Sequence, residues 1–294
     1  MISVTNVRVV GFDRHYLDVY WEVPPTLSDI QEYEFTVQRS ESEAGAFEDI
    51  TGALKDTYFF RDYGVPPVSV NRVLFYRIKV RHAPSGEVVY SSVSSRRPPQ
   101  DLIAREIVRL ETLLFEEFAG TMGWLFPRRT FGQRCPQCWD DVLQKVVDDR
   151  CPVCFGTGFS GGYHRPIQFF VQVDESPTAE RTSPPHHHQQ KTFSIRSPAS
   201  PFVKPLDLFI DNRNRRMRVL QVHGTHRLNT PVRQEFQAAL VQPGSIEDAV
   251  PLEVDAATLE MYGWRNFTNP QNMEAVTGAH DPALDALIRA YDRG

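Results

Sequence analysis

The sequence predicts a mainly β protein: an N-terminal β-sandwich, a linker helix, a small four-cysteine hairpin of zinc-ribbon type, a second small β-barrel or sandwich, and a short C-terminal helix. Three observations carry that expectation. Apolar residues alternate with period two in short runs over residues 1–97 and again over 166–250, with Gly, Pro, Ser and Asp turns between the runs. All four cysteines fall in one stretch, as the C-x-x-C pairs Cys135/Cys138 and Cys151/Cys154. A stripe of large apolar residues at helical spacing lies between the two β-rich regions, over residues 101–118.

Composition bounds the possibilities. A chain of 294 residues predicts about two domains, and 41% hydrophobic with 23% charged residues is ordinary for a soluble globular protein. No apolar run approaches the ~20 residues that span a bilayer. The opening Met1-Ile-Ser-Val-Thr-Asn lacks the basic start and apolar core of a signal peptide, so a reducing cytoplasm is expected, where cysteines bind metal rather than pair. A net charge of -5 argues against wholesale nucleic-acid binding and leaves room for a local basic strip.

Taken in order, residues 1–97 form the expected sandwich. Val7 and Val9 begin it, followed by Leu17, Val19 and Trp21, then Tyr33, Phe35 and Val37, then Tyr58 and Phe60, and then Leu74, Tyr76, Ile78 and Val80. Each set places one row of side chains on the inner face of a sheet. Arg96-Arg97-Pro98-Pro99 ends it as a stiff linker, since consecutive prolines cannot join a ladder. The linker helix spans residues 98–120, its stripe formed by Ile103, Ile107, Leu110, Leu114 and Phe118, and Gly120 stops it. The stripe fits either the helix's own domain or a partner.

Residues 121–165 hold the metal unit. Each C-x-x-C turn presents two sulfurs on one side, and Cys135, Cys138, Cys151 and Cys154 together complete a tetrahedral set for Zn²⁺; two disulfides, free core thiols or a thioredoxin-like redox pair are the alternatives, the last giving no reason for a second pair. Proline after the first cysteine of each pair presets φ, and Gly156 and Gly158 supply positive φ. Four thiolates leave no open position, so the site reads as structural, not catalytic. Val142, Leu143, Val146 and Val147 are enough for a hairpin or a helical turn. The second pair also resembles one C-x-x-C-x-G-x-G unit of DnaJ-type chaperone zinc domains, whose glycines the first pair lacks.

Residues 166–250 read as a small β-barrel of five or six strands, opened by Ile167, Phe169, Val171 and Val173 and closed by a strand from Val232 to Leu240. His186, His187 and His188 fall in a polar loop, and His223 and His226 in an expected turn; neither set is assigned a metal. Arg213, Arg215, Arg216 and Arg218 form a basic cluster able to meet DNA phosphates or an acidic partner, or to lie as a solvated face. Residues 251–294 are a C-terminal extension ending in a short amphipathic helix with Leu284, Leu287, Ile288 and Tyr291. No catalytic residue and no nucleotide-binding loop is found, so the expectation is a protein that is not an enzyme.

Two resemblances add to this. Val-Tyr-Trp21-Glu-Val-Pro, the run from Tyr33 to Ser40, Tyr76-Arg-Ile-Lys-Val80 and Ser85-Gly86-Glu87 resemble a fibronectin type III domain, which implies an interaction or spacer module with Tyr76 as its corner tyrosine, although the Leu-x-Pro-x-Thr run that usually precedes that tyrosine is absent. The order of helix, Cys-Pro-x-Cys-Trp-Asp, Cys-Pro-x-Cys-Phe-Gly-Thr-Gly-Phe-x-Gly-Gly-Tyr and the strands from Pro205 through Phe236 resembles a neck protein of tailed bacteriophages over residues 101–250. That resemblance implies a virion structural protein, assembled in the host cytoplasm as a homo-oligomeric ring between portal or adaptor and tail-terminator-like proteins. It implies passive DNA contact in the channel and no membrane partner. Two alternatives stand beside it: a zinc-ribbon nucleic-acid binder using Arg128, Arg129, Arg134 and Arg150, and a tail or baseplate component or assembly factor of the same particle.

Overall fold

A computed structural model describes residues 2–10, 16–24, 30–65, 73–95, 102–174, 191–228 and 230–252. The Arg96–Pro99 linker, the His186–His188 loop and the helix expected near the C-terminus lie outside the described residues. The fold is mainly β.

The N-terminal region is a two-sheet sandwich. Strands β1 (Thr5–Val10), β2 (Leu17–Glu22) and β5 (Phe59–Asp62) make one antiparallel sheet in the order β1-β2-β5. Strands β3 (Tyr33–Ser40), β4 (Glu48–Asp49), β6 (Phe75–His82) and β7 (Val88–Tyr90) make the other, in the order β4-β3-β6-β7, with β8 (Ser94–Ser95) also pairing β6. The alternating residues meet between the sheets, where Val19, Trp21, Phe35, Val37, Tyr76 and Ile78 are all buried. Each such side chain contributes about 1.5–3 kcal/mol through burial. Tyr76 differs from a backbone-bonded corner tyrosine, because its hydroxyl donates to the Asp62 carboxylate at 2.9 Å. That carboxylate also takes Arg39 and the backbone N–H of Gly64, each at 2.8 Å.

Helix α1 (Leu102–Leu113) continues into a π-helical turn, Leu114–Ala119. It lies on the C-terminal domain with a face different from the expected stripe. Ala104, Val108, Thr112 and Phe115 are buried, with Ala104 and Val108 meeting Val232. Ile103, Leu110, Leu114 and Phe118 are exposed, and only Ile107 reaches the packed side. Small and β-branched side chains let a helix backbone approach a strand closely, which the long side chains of the stripe would prevent.

The second domain is a closed six-stranded antiparallel barrel of β9 (Thr121–Phe126), β12 (Ile167–Asp174), β13 (Thr192–Pro198), β14 (Leu208–Asp211), β15 (Arg216–Arg227) and β16 (Thr230–Leu240), ordered β12-β13-β16-β15-β14-β9. The segment 121–126, expected to open the metal unit, is therefore a barrel strand. Gly123 is required on it, because a Cβ there would stand 2.4 Å from the Phe209 ring. The expected turn at His223 and His226 is also revised: both lie within β15, which runs unbroken to Arg227. Cross-strand pairing with β16 outweighs the local turn preference of Gly224.

Sandwich and barrel pack against each other within one compact unit ending at Pro251. Phe59 from the sandwich joins the barrel core, and Phe131 from the metal loop joins the sandwich core.

Candidate metal centre

The metal loop leaves the barrel after β9 and returns at β12. At its base Arg128 and Tyr163 form a β-bridge, as do Arg134 and Phe159 further out. Asp207 clamps the base from the barrel side, accepting the backbone N–H of Arg128 and of Lys204, each at 2.8 Å. Burial pushes the Asp207 carboxyl up to about 6 against the pull of those two N–H groups. On the sandwich side the Arg129 guanidinium donates to the Tyr163 carbonyl at 3.0 Å and holds both carboxylate oxygens of Asp56. Tyr58, Phe131 and His164 form an aromatic cluster beside it, with centroids 4.7–5.3 Å apart.

Above this base the four expected ligands converge. Cys135, Cys138, Cys151 and Cys154 are all buried, and their sulfurs lie within 4.8 Å of one another. Sγ of Cys138 lies 3.1 Å from that of Cys154, and Sγ of Cys135 lies 3.7 Å from that of Cys151. Both exceed the ~2.05 Å of a disulfide; the Cys135–Cys151 distance matches the ~3.8 Å edge of a tetrahedron with metal–sulfur bonds of about 2.3 Å, and the Cys138–Cys154 distance is shorter than that edge. The two pairs thus supply a four-thiol cage that can hold a metal ion.

Local hydrogen bonds explain why these turns form. The carbonyls of Cys135, Cys151 and Cys154 accept the N–H groups of Trp139, Phe155 and Thr157 at 3.2, 2.9 and 2.9 Å, closing each knuckle. Thr157 Oγ1 donates to the Cys154 carbonyl at 2.8 Å. Gly158 takes φ +79°, and a Cβ there would lie 2.7 Å from Val146 Cγ2, so glycine is needed for both conformation and space. Burial holds the Cys138 thiol well above its ordinary range. Burial also opposes ionisation of Cys151, but the N–H groups of Val153 and Cys154 and the neighbouring thiols bring it down to about 7.

Between the pairs, β10 (Trp139–Asp140) and β11 (Lys145–Val146) form a hairpin. Asp140 Oδ1 accepts the N–H groups of Val142 and Leu143 at 2.8 and 3.0 Å and shapes its tip. Val142, Leu143 and Val147 are 90%, 58% and 67% exposed. Asp140, Asp141, Asp148 and Asp149 surround them against only Lys145 and Arg150.

The arginines near the site are mostly engaged. Arg129 is buried on Asp56, Arg134 stacks between Trp139 and Phe159 at 3.8 and 4.2 Å, and Arg128 donates to the Gly156 carbonyl at 3.3 Å. Within the basic cluster, Arg215 pairs with Asp211 at 2.6 Å, Arg216 with Asp248 at 3.7 Å and Arg218 with Glu247 at 3.2 Å. The acidic partners Glu247 and Asp248 follow the barrel at a distance that no sequence motif marks. Among the described residues no helix is long and apolar enough to cross a membrane. No protein-family model matches this chain, and no curated protein matches it.

Proposed function

We propose that this chain is a virion structural protein of a tailed phage, a neck connector that assembles as a ring between portal and tail around the DNA channel. Zinc is the ion held by Cys135, Cys138, Cys151 and Cys154. The closed four-thiol cage carries this reading: four soft thiolates within 4.8 Å of one another favour zinc over hard cations. Four protein ligands leave no position for substrate, so the site supports architecture and not turnover.

What the cage holds in place supports the same reading. It fixes a hairpin whose tip is apolar and acidic, a surface suited to protein rather than to phosphate. The order β1-β2-β5 facing β4-β3-β6-β7 supports the fibronectin type III reading of the N-terminal sandwich. Ion pairs within the chain occupy Arg129, Arg215, Arg216 and Arg218, half of the arginines that motivated a nucleic-acid function.

The test is to isolate the protein with and without chelator, measure zinc content, oligomer size and binding to a portal ring, and locate the chain in finished particles. Bound zinc, a ring, and a position between portal and tail are expected. A metal-free chain that stays monomeric and binds neither portal nor tail components refutes the reading. DNA binding that weakens steeply with salt and is lost in Arg150→Ala would favour the nucleic-acid function instead.

A further inference from the structure

Two projections leave the barrel at the same end and on opposite sides. Phe126, the last residue of β9, pairs with Leu208, and Leu208 pairs with Arg218. Strands β9 and β15 both run antiparallel to β14, so they point the same way. Past Phe126 the chain becomes the metal loop, and past Arg218 strand β15 continues to Arg227, a further ~30 Å at about 3.3 Å per residue. In the closed strand order three strands separate the β9/β12 junction from the β15/β16 junction in either direction. The metal hairpin and the β15–β16 arm are therefore diametrically opposed around the barrel.

Their surfaces complement each other. The hairpin tip offers Val142 and Leu143 within a ring of aspartates. The arm contains no carboxylate over residues 216–234 and carries exposed His223, His226 and Arg227, with Leu220 and Leu228 41% and 79% exposed. Strand β15 pairs β14 only at Arg216, Met217 and Arg218, and beyond Val219 its outer edge meets no strand among the described residues. The β15–β16 pairing is irregular between Val219 and Gln221, where Leu220 is the extra residue, and again between Thr225 and His226; the resulting twist of the arm disfavours strand addition along its outer edge and leaves side-chain docking.

We propose that the metal-pinned hairpin of one copy docks through Val142 and Leu143 onto the outer edge of β15 in the next copy. Such a contact joins two different surfaces, and repeated around an axis it closes a ring. Apolar contact supplies the affinity, and the acidic tip against the basic arm sets the register. The proposal rests on the ring reading above and names the surfaces that would form it.

The test uses the full metal-loaded chain and two variants, Leu143→Asp in the hairpin and Leu220→Asp/Arg227→Glu in the arm. Zinc content and circular dichroism verify the fold, and sedimentation measures self-association. Each variant alone should weaken self-association at least about tenfold. Mixed one to one, they retain a single intact pair of surfaces and should form a dimer that grows no further. Wild-type self-association that survives both variants overturns this interface while leaving the ring intact. Loss in each variant without a dimer in the mixture also overturns it, because it indicates a contact between like surfaces. A wild-type chain that remains monomeric at millimolar concentration overturns both this interface and the ring.

Discussion

Arg61 grips Asp18 with two hydrogen bonds, Nε to Oδ1 at 2.7 Å and Nη2 to Oδ2 at 3.0 Å, and its remaining Nη1 reaches the barrel carbonyl of Gln168 at 3.2 Å. The Ser200 hydroxyl, from the barrel side, donates to the same Asp18 carboxylate. An ion pair inside the sandwich thus becomes the polar centre of its contact with the barrel. These bonds hold the N-terminal domain directly against the barrel.

Breaking that pair from one side should cost more than removing it whole. Asp18 is completely buried, so Arg61→Leu strands a carboxylate and should destabilise by about 3–5 kcal/mol. Arg61→Leu combined with Asp18→Asn should recover part of that loss. Urea unfolding of both single variants and the double variant gives the coupling directly. Additive losses would mean that the two residues act independently and that the interface has another centre.

A second prediction concerns pH. Burial, reinforced by Arg129, lowers the His164 imidazole from 6.5 to about 3, and its Nδ1 is sealed without a partner. The folded state therefore resists a proton that the unfolded chain accepts. Stability from this group is complete above pH 6.5 and is lost as pH falls toward 3, by about 1.4 kcal/mol per unit. Asp207 acts oppositely: its raised folded value means that acidification from about 6 toward 3.8 relieves strain. The difference between variant and wild type isolates the histidine. His164→Phe should flatten the acid limb and gain about 2 kcal/mol over wild type at pH 5 relative to pH 7.5. Parallel curves for the two proteins would place the titration elsewhere.

Gly158 offers a test of the metal loop that leaves every ligand in place. Alanine there meets both a positive φ and the Val146 methyl, and should cost about 1–3 kcal/mol with weaker retention of a bound metal ion against chelator. Adding Val146→Ala removes the collision but not the backbone strain, so it should rescue only partly. Full rescue would assign the whole effect to packing.

Elements with a local signature were legible in the sequence. The alternation of Tyr33, Phe35 and Val37 specifies a strand buried on one face, and the spacing of four cysteines specifies their convergence. Strand β9 was not legible, because Met122, Trp124 and Phe126 are buried on one face while Leu125 enters the barrel core on the other. A strand covered on both sides shows no period of two. Contacts joining Asp18, Arg61 and Ser200 bridge up to 182 positions and leave no local trace. Helix α1 posed a different problem, since it carries two apolar faces and periodicity does not rank them.

That last ambiguity yields a prediction with opposite signs on the two faces. Ala104 is fully buried and meets Val232, so Ala104→Leu overfills a closed contact and should cost about 1–3 kcal/mol. Leu110, half exposed on the other face, has little to lose, and Leu110→Glu should change monomer stability by no more than about 0.5 kcal/mol. Thermal unfolding of the two variants at dilute concentration reads the monomer alone. If Leu110→Glu proves the costly change, the helix lies on the barrel by the large-residue stripe and not by Ala104 and Val108.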